Sequence, residues 1–238
     1  MKKDFSLIIA CFNEEPHLNQ SVNEIEQVLS KTKYSYELIF VDDKSTDNTK
    51  NLIEKMSKGK KNYKFLFHEV NQGRGKTVSD GIKLSKSKYV GFIDIDLETP
   101  AIYLFKLLLE LNNGFDVVTA NRIYTLNMKS FHRFILSRGY NFLQKILLKN
   151  NLEDTETGCK LFNRKKIIPI LNKVKDKEWF WDTEIMALCK LNGLKIKEVP
   201  TVFIRKEDKK STVKIFRDTL KYFYKLIEFT FRIRKGGN

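Results

Sequence analysis

Cysteine and histidine are scarce in this chain, and the scarcity removes whole classes of function. Three cysteines (Cys11, Cys159, Cys189) and three histidines (His17, His68, His132) are scattered over 238 residues. They are too few and too far apart for a disulfide framework or a Cys/His zinc site. The cysteines are therefore expected to be reduced, and any metal must be held by carboxylates. Long apolar runs are missing too. None approaches the ~18–20 residues of a membrane span, and the N-terminus lacks the uninterrupted apolar stretch of a signal peptide. We expect a protein made and kept in the cytoplasm, touching a membrane only from that side.

What is present is a core and an excess of positive charge. With 42% hydrophobic and 12% aromatic residues, the chain is not a disordered basic tail. Lys and Arg number 44 against 29 Asp and Glu, a net charge of +15. Such a balance calls for a polyanion: nucleic acid, nucleotide phosphates or anionic lipid. No internal repeat and no linker-like shift in composition divides the chain, so one domain with helical appendages is the simplest organisation.

The first half alternates strand and helix. Short apolar runs at 5–11, 36–41, 64–68, 89–93 and 116–120 read as strands, the first as one buried on both faces of a parallel sheet. Between them run amphipathic helices. The first has Pro16 in its opening turn, the second is capped by Asp47, the third runs from the glycine-rich turn 71–75 to Ser87, and the fourth starts at Pro100. Repeated β–α units predict a mostly parallel sheet with helices on both sides, whose ligands bind outside the carboxyl ends of the strands. The second half is less regular. It has a basic aromatic helical stretch at 129–149, polar segments at 153–164 and 178–192 around a shorter connector, and a strand at 195–204 in which Pro200 suggests an edge or bulge. A final amphipathic helix runs to about Arg234.

Two phosphate motifs fail. Gly73-Arg74-Gly75-Lys76-Thr77 ends like a Walker A loop, but the required first glycine is Val70. The first strand runs into Cys11-Phe12-Asn13-Glu14 without the glycines of a dinucleotide site. The informative residues are acidic. Asp94-Ile95-Asp96 closes the fourth strand, and alternation sends both carboxylates to one side while Ile95 turns into the sheet. Adjacent carboxylates repel unless a cation lies between them, and hard oxygen donors suit Mg²⁺ or Mn²⁺. Glu98 can add a third oxygen. Asp42 and Asp43 end the second strand and Asn13-Glu14 the first, so acidic groups collect on three strand ends.

Taken together these segments resemble a known family. ACFNE (10–14), VDDKSTDNT (41–49), NQGRGKTVSDG (71–81), FIDIDLETP (92–100) and ANR (120–122) follow the order and spacing of the GT-A glycosyltransferases of family 2. With SRGYN (137–141), DTETGCKLF (154–162), WFWDTE (179–184) and KEVPTVFIR (197–205), the chain is similar to the polyprenyl-phosphate sugar transferases of dolichyl-phosphate mannose and glucose synthesis. The resemblance runs from Phe5 to about Val213. It implies an α/β, Rossmann-like GT-A domain over 1–213, with an amphipathic insertion at about 127–149 and a basic amphipathic helix at 214–238. It further implies that Ala10, Phe12, Glu14, Val41 and Asp43 line a nucleoside pocket. Asp94, Ile95 and Asp96 would hold the nucleotide sugar, with Asp96 and Glu98 on Mg²⁺ or Mn²⁺. Arg122 would lie near the donor diphosphate, and Arg133 and Arg205 would face the phosphates of donor and acceptor.

The chain departs from the family pattern in places. Ala10-Cys11-Phe12 replaces the usual Pro-Thr-Tyr, and Lys209-Lys210-Ser211-Thr212 replaces the Gly-x-Ser-Lys signature, so Lys209 and Lys210 join the candidates for the acceptor phosphate. The C-terminal spans many members carry are missing, which leaves room for a separate membrane-protein partner.

The expected chemistry is in-line, inverting displacement at a sugar anomeric carbon, with Asp96, Arg122, Arg133 and Asp182 as the catalytic candidates. A phosphate-monoester acceptor arrives ionised and needs no strong base. A saccharide hydroxyl acceptor needs a carboxylate to take its proton, for which Asp154 and Asp182 are candidates. Asp182 is equally readable as the cap of a helix over 183–191. The DTETGCKLF and WFWDTE segments look more like the UDP-glucose than the GDP-mannose members. Basic residues beside apolar stripes (Phe216, Leu220, Phe223, Ile227, Phe231 in the last helix; Phe131, Ile135, Leu143, Ile146 in the insertion) suit an anionic membrane surface. A basic nucleic-acid-binding module also explains +15 but leaves the acidic strand ends without a role, so no nucleic-acid partner is expected.

Overall fold

The computed structural model describes residues 3–124, 139, 143–148, 151–205 and 215–236. Among these residues seven strands form one sheet: β1 (Phe5–Cys11), β2 (Tyr36–Asp42), β3 (Tyr63–Phe67), β4 (Tyr89–Ile93), β5 (Val117–Tyr124), β6 (Cys159–Asn163) and β7 (Ile196–Phe203). Their order is β3-β2-β1-β4-β6-β5-β7. Every neighbouring pair is parallel except the two made by β6. The α/β, mostly parallel architecture expected from the β–α alternation is present.

The sheet is covered by helices that include α1 (Leu18–Ser30), α2 (Thr49–Ser57), α3 (Arg74–Leu84), α4 (Leu104–Asn112), α5 (Arg164–Leu171), α6 (Trp181–Leu191) and α7 (Ile215–Arg234). The continuous apolar strands are explained by two cores. Phe5, Leu7 and Ile9 of β1 join Val22 and Ile25 of α1, and Leu104 and Leu108 of α4, on one face. Ile8, Ile39 and Phe92 join Val78 of α3, Trp181 of α6 and Phe229 of α7 on the other. Pro200 sits in β7, an edge strand, where a missing N–H leaves no central ladder bond unmade.

The structure corrects several expectations. Pro16 lies in the turn before α1, which begins at Leu18. Asp47 accepts the Thr49 amide at 3.0 Å, but Asn48 is the residue immediately before α2. Helix α3 stops at Leu84, three residues short of Ser87, because Ser85 turns extended. β6 lies in the segment read as irregular, and α5 in the segment read as a connector. β6 is only five residues long and carries a lysine beside its centre, so it lacks the apolar run of its neighbours. It fits against β4 because Gly91 faces Leu161: a Cβ at Gly91 would lie 2.2 Å from the leucine side chain. Helix α6 begins at Trp181, two residues earlier than 183.

Candidate active site

The carboxyl ends of β1, β2 and β4 form one edge, and side chains lace it together. Asn13, in the left-handed region at φ 57°, accepts the Thr46 amide at 2.7 Å and donates its own amide to Ser45 at 2.9 Å. Thr49 accepts the Glu14 amide at 2.8 Å. Asp42 accepts the amide and hydroxyl of Ser45. Asp43 is buried and accepts the amides of Gln72 and Gly73, each at 2.8 Å, with His68 Nδ1 also at 2.8 Å. That carboxylate fixes the loop leading into α3.

Of the other nucleoside candidates, Phe12 is exposed, Ala10 is half-buried and Glu14 is buried. Val41 is fully buried on the α3 side of the sheet, so only its backbone can reach a ligand at the edge.

The β4 end divides as expected: Ile95 is buried, while Asp94 and Asp96 are half-buried. Asp94 receives a fork from Arg74, Nη2 at 2.7 Å and Nε at 3.1 Å. The same guanidinium reaches Asp182 at 2.5 Å, and Lys160, itself fully buried, reaches the other Asp182 oxygen at 2.6 Å. The Arg74 guanidinium also lies 5.2 Å from the Phe92 ring and 5.3 Å from the exposed Trp179 ring. Burial pushes the Asp94 carboxyl up from its ordinary value; Arg74 opposes this, and the charges of Asp96 and Asp182 add to it. Gly158 abuts this pair, its carbonyl accepting the Asp94 amide at 2.8 Å.

Asp182 is thus neither an open base nor a helix cap. It is buried in the first turn of α6 with a cation on each oxygen. Asp154 is similarly held. Arg122 of β5 donates to it from Nε at 2.6 Å and Nη2 at 2.8 Å. Burial alone would raise the Asp154 carboxyl, but Arg122 outweighs it and keeps the group below the usual carboxylate range. The guanidinium of Arg122 is therefore turned onto Asp154, with Glu156 4.0 Å away.

Asp96 and Glu98 share a loop in which Leu97 adopts a positive φ of 51°. The Glu98 carbonyl accepts the Ile204 amide at 2.8 Å, which brings exposed Arg205 beside that loop. Among the described residues, no three His, Cys, Asp or Glu side chains group closely enough to hold a metal unaided. Two hard carboxylates do fit a cation such as Mg²⁺, which keeps waters and takes its other ligands from phosphate oxygens. Arg133, Lys209 and Lys210 lie outside the described residues.

Sequence reading missed Arg74, Lys160, His68 and Glu156. Arg74 lies in the failed Walker-like segment, and Lys160 looks in sequence like one more surface cation. Only folding reveals that each meets a carboxylate from a distant element. Glu156 stands in plain view in DTETG, overshadowed by Asp154.

Residues 6–171 match the family model described as "Glycosyl transferase family 2". The chain belongs to this family. It is 24% identical over 222 residues to glycosyltransferase AglD of Haloferax volcanii, covering 91% of this chain and 35% of that protein. It is 29% identical over 213 residues to a dolichyl-phosphate beta-glucosyltransferase of Dictyostelium discoideum, covering 82% and 64%. The chain thus spans about a third and under two thirds of these relatives' lengths. Glucosyl-3-phosphoglycerate synthase of Mycobacterium tuberculosis, solved with Mn²⁺, UDP and glucosyl-3-phosphoglycerate, shares the fold: TM-score 0.71 at 16% identity, over 96% of this chain and 80% of that one.

Proposed function

We propose that this chain is a metal-dependent, inverting glycosyltransferase that moves glucose from UDP-glucose to a polyprenyl or dolichyl phosphate at a membrane surface. The observation that carries the reading is the 94–98 loop of a family 2 chain. Asp94 is locked to Arg74, Asp96 and Glu98 stand beyond it, and the backbone bond from Ile204 brings Arg205 alongside. The Dictyostelium relative, named a dolichyl-phosphate beta-glucosyltransferase, supports glucose as the sugar and dolichyl phosphate as the acceptor.

Asp96 and Glu98 would hold Mg²⁺ or Mn²⁺. A cation held there would supply charge neutralisation for a departing diphosphate. Asp94 and Arg74 stiffen the floor of the donor site, so the loop is preorganised rather than ordered during reaction. Arg205 would meet an incoming phosphate, with Arg133, Lys209 and Lys210 as further acceptor candidates. The acceptor phosphate is its own nucleophile. That suits an edge where Asp154 and Asp182, the two carboxylates considered as bases for a hydroxyl acceptor, are both ion-paired.

Among the described residues no helix is long and apolar enough to cross a membrane. Helix α7 supports peripheral attachment to a membrane surface, for which we propose the cytoplasmic face. Its Leu226, Phe229 and Thr230 are buried on the domain, while Leu220, Phe223 and Phe231 of the expected stripe point outward. Exposed Leu143 and Ile146 offer a second apolar contact. A separate membrane-protein partner is a natural addition to such a surface.

The test is a transfer assay with Mn²⁺ and short polyprenyl phosphate, with labelled UDP-glucose and GDP-mannose in parallel. Label from UDP-glucose should enter the organic phase, and Asp96→Ala should reduce that by about two orders of magnitude or more. Donor binding without organic-phase label from either sugar would move the reading to a hydroxyl acceptor or another sugar.

A further inference from the structure

Between the ends of β4, β5 and the start of β6, three carboxyl groups are matched by cations. Asp94 has Arg74, Asp182 has Arg74 and Lys160, and Asp154 has Arg122 on both oxygens. Glu156 is different. Its nearest cationic atom among the described residues is Arg122 Nη2, 4.0 Å away, and the short bonds of that guanidinium go to Asp154. Its backbone amide is tied to Asp154 Oδ1 at 3.2 Å, which fixes the loop. Its side chain keeps 26% of its surface open.

The charged groups facing it are Arg122 from β5, Lys160 from β6, Asp182 from α6 and Asp154 from its own loop. Burial is the largest influence. Asp154 and Asp182 add to it, Arg122 and Lys160 offset it only in part, and the carboxyl is pushed up to about 7. The neutral acid is therefore well populated near neutral pH.

We propose that Glu156, as the neutral acid, donates a hydrogen bond to a phosphate oxygen bound at this edge, and that its ionised form repels that phosphate. The inference rests on the site's being one for a nucleotide sugar and a phosphorylated acceptor. The phosphate is either the donor's diphosphate or the acceptor's monoester. Binding takes up a proton from solvent and weakens as pH rises through about 7. Glutamine offers an N–H donor of the same length with no charge to acquire, so Glu156→Gln makes the interaction permanent.

Two arms test this between pH 6 and 8.5. One is calorimetry of UDP with Mg²⁺ in buffers of different ionisation enthalpy, which reads proton uptake directly. The other is KM and kcat for polyprenyl phosphate. In the arm that carries the contact, wild-type affinity should fall about tenfold across the upper part of the range. Glu156→Gln should be flat in that arm, and Glu156→Ala weak throughout. A pH dependence of UDP affinity names the diphosphate; one confined to the acceptor KM names the monoester. Identical profiles for wild type and Glu156→Gln in both arms would overturn the proposal. So would a wild-type rate that rises through pH 7 and is lost in Glu156→Gln at every pH, the signature of a general base. If no transfer to polyprenyl phosphate occurs at all, the parent reading fails, and Glu156 then stands or falls on the UDP arm.

Discussion

Arg74 and Asp182, 108 residues apart in the chain, meet at 2.5 Å and tie the start of α3 to the first turn of α6. Removing one partner of a buried pair leaves the others uncompensated. Asp182→Ala leaves the fully buried Lys160 without its carboxylate partner and Arg74 with Asp94 alone. It should destabilise the fold by about 3–5 kcal/mol, read as a lower urea midpoint at unchanged slope. A loss under about 1 kcal/mol would show that the pair contributes little to the fold.

Gly158 has no room for a side chain. A Cβ there would lie 2.1 Å from Asp94 Oδ2. Gly158→Ala must push Asp94 off Arg74, so UDP affinity should drop about tenfold or more, with a stability loss of about 1–3 kcal/mol. Wild-type affinity in this variant would mean that Asp94 has no part in donor binding.

Glu156 also predicts a stability difference that needs no substrate. Its folded value of about 7 lies above the ordinary 4.5, so between those pH values the folded chain binds more protons than the unfolded one. Stability is therefore lost as pH rises through this window. Glu156→Gln removes that slope and should be more stable than wild type at pH 8 by about 1–2 kcal/mol, after allowing for screening of a partly exposed group. Parallel stability curves from pH 5 to 8 would contradict it.

Helix α7 separates packing from surface contact within three residues. Phe229 is buried and Phe231 is exposed. Phe229→Ala should cost about 3–5 kcal/mol in thermal or urea denaturation. Phe231→Ser together with Phe223→Ser should leave stability within about 1 kcal/mol yet reduce co-sedimentation with anionic lipid vesicles several-fold. Unchanged vesicle binding would remove α7 from the membrane-facing surface.

The strand-end carboxylates are legible in the sequence because their signal is local. A short apolar run ending in Asp94-Ile95-Asp96 states both its strand and its alternation. The same logic finds Asp42 and Asp43. What it cannot find are the cations opposite them. Arg74 sits in a glycine-rich turn, and Lys160 lies mid-strand with fully buried surroundings, a placement composition assigns to almost no lysine. Asp182 reads as a base or a cap for the same reason: its aromatic neighbours are visible in sequence, its two counter-ions are not. Strand β6 escapes notice because five residues that include a lysine carry no period-2 pattern strong enough to outweigh the polar segment before them.

That reversed strand has a consequence for how the chain reaches its native state. β4 and β5 are not hydrogen-bonded to each other; β6, at residues 159–163, lies between them. During synthesis, β1 to β4 can pair as soon as they emerge, whereas the strand that joins β5 to them is made only after the segment 125–158. β4 meanwhile keeps an open edge. Closure of the sheet is thus a late, long-range event, the kind of pairing that slows folding and exposes strand edges to other chains.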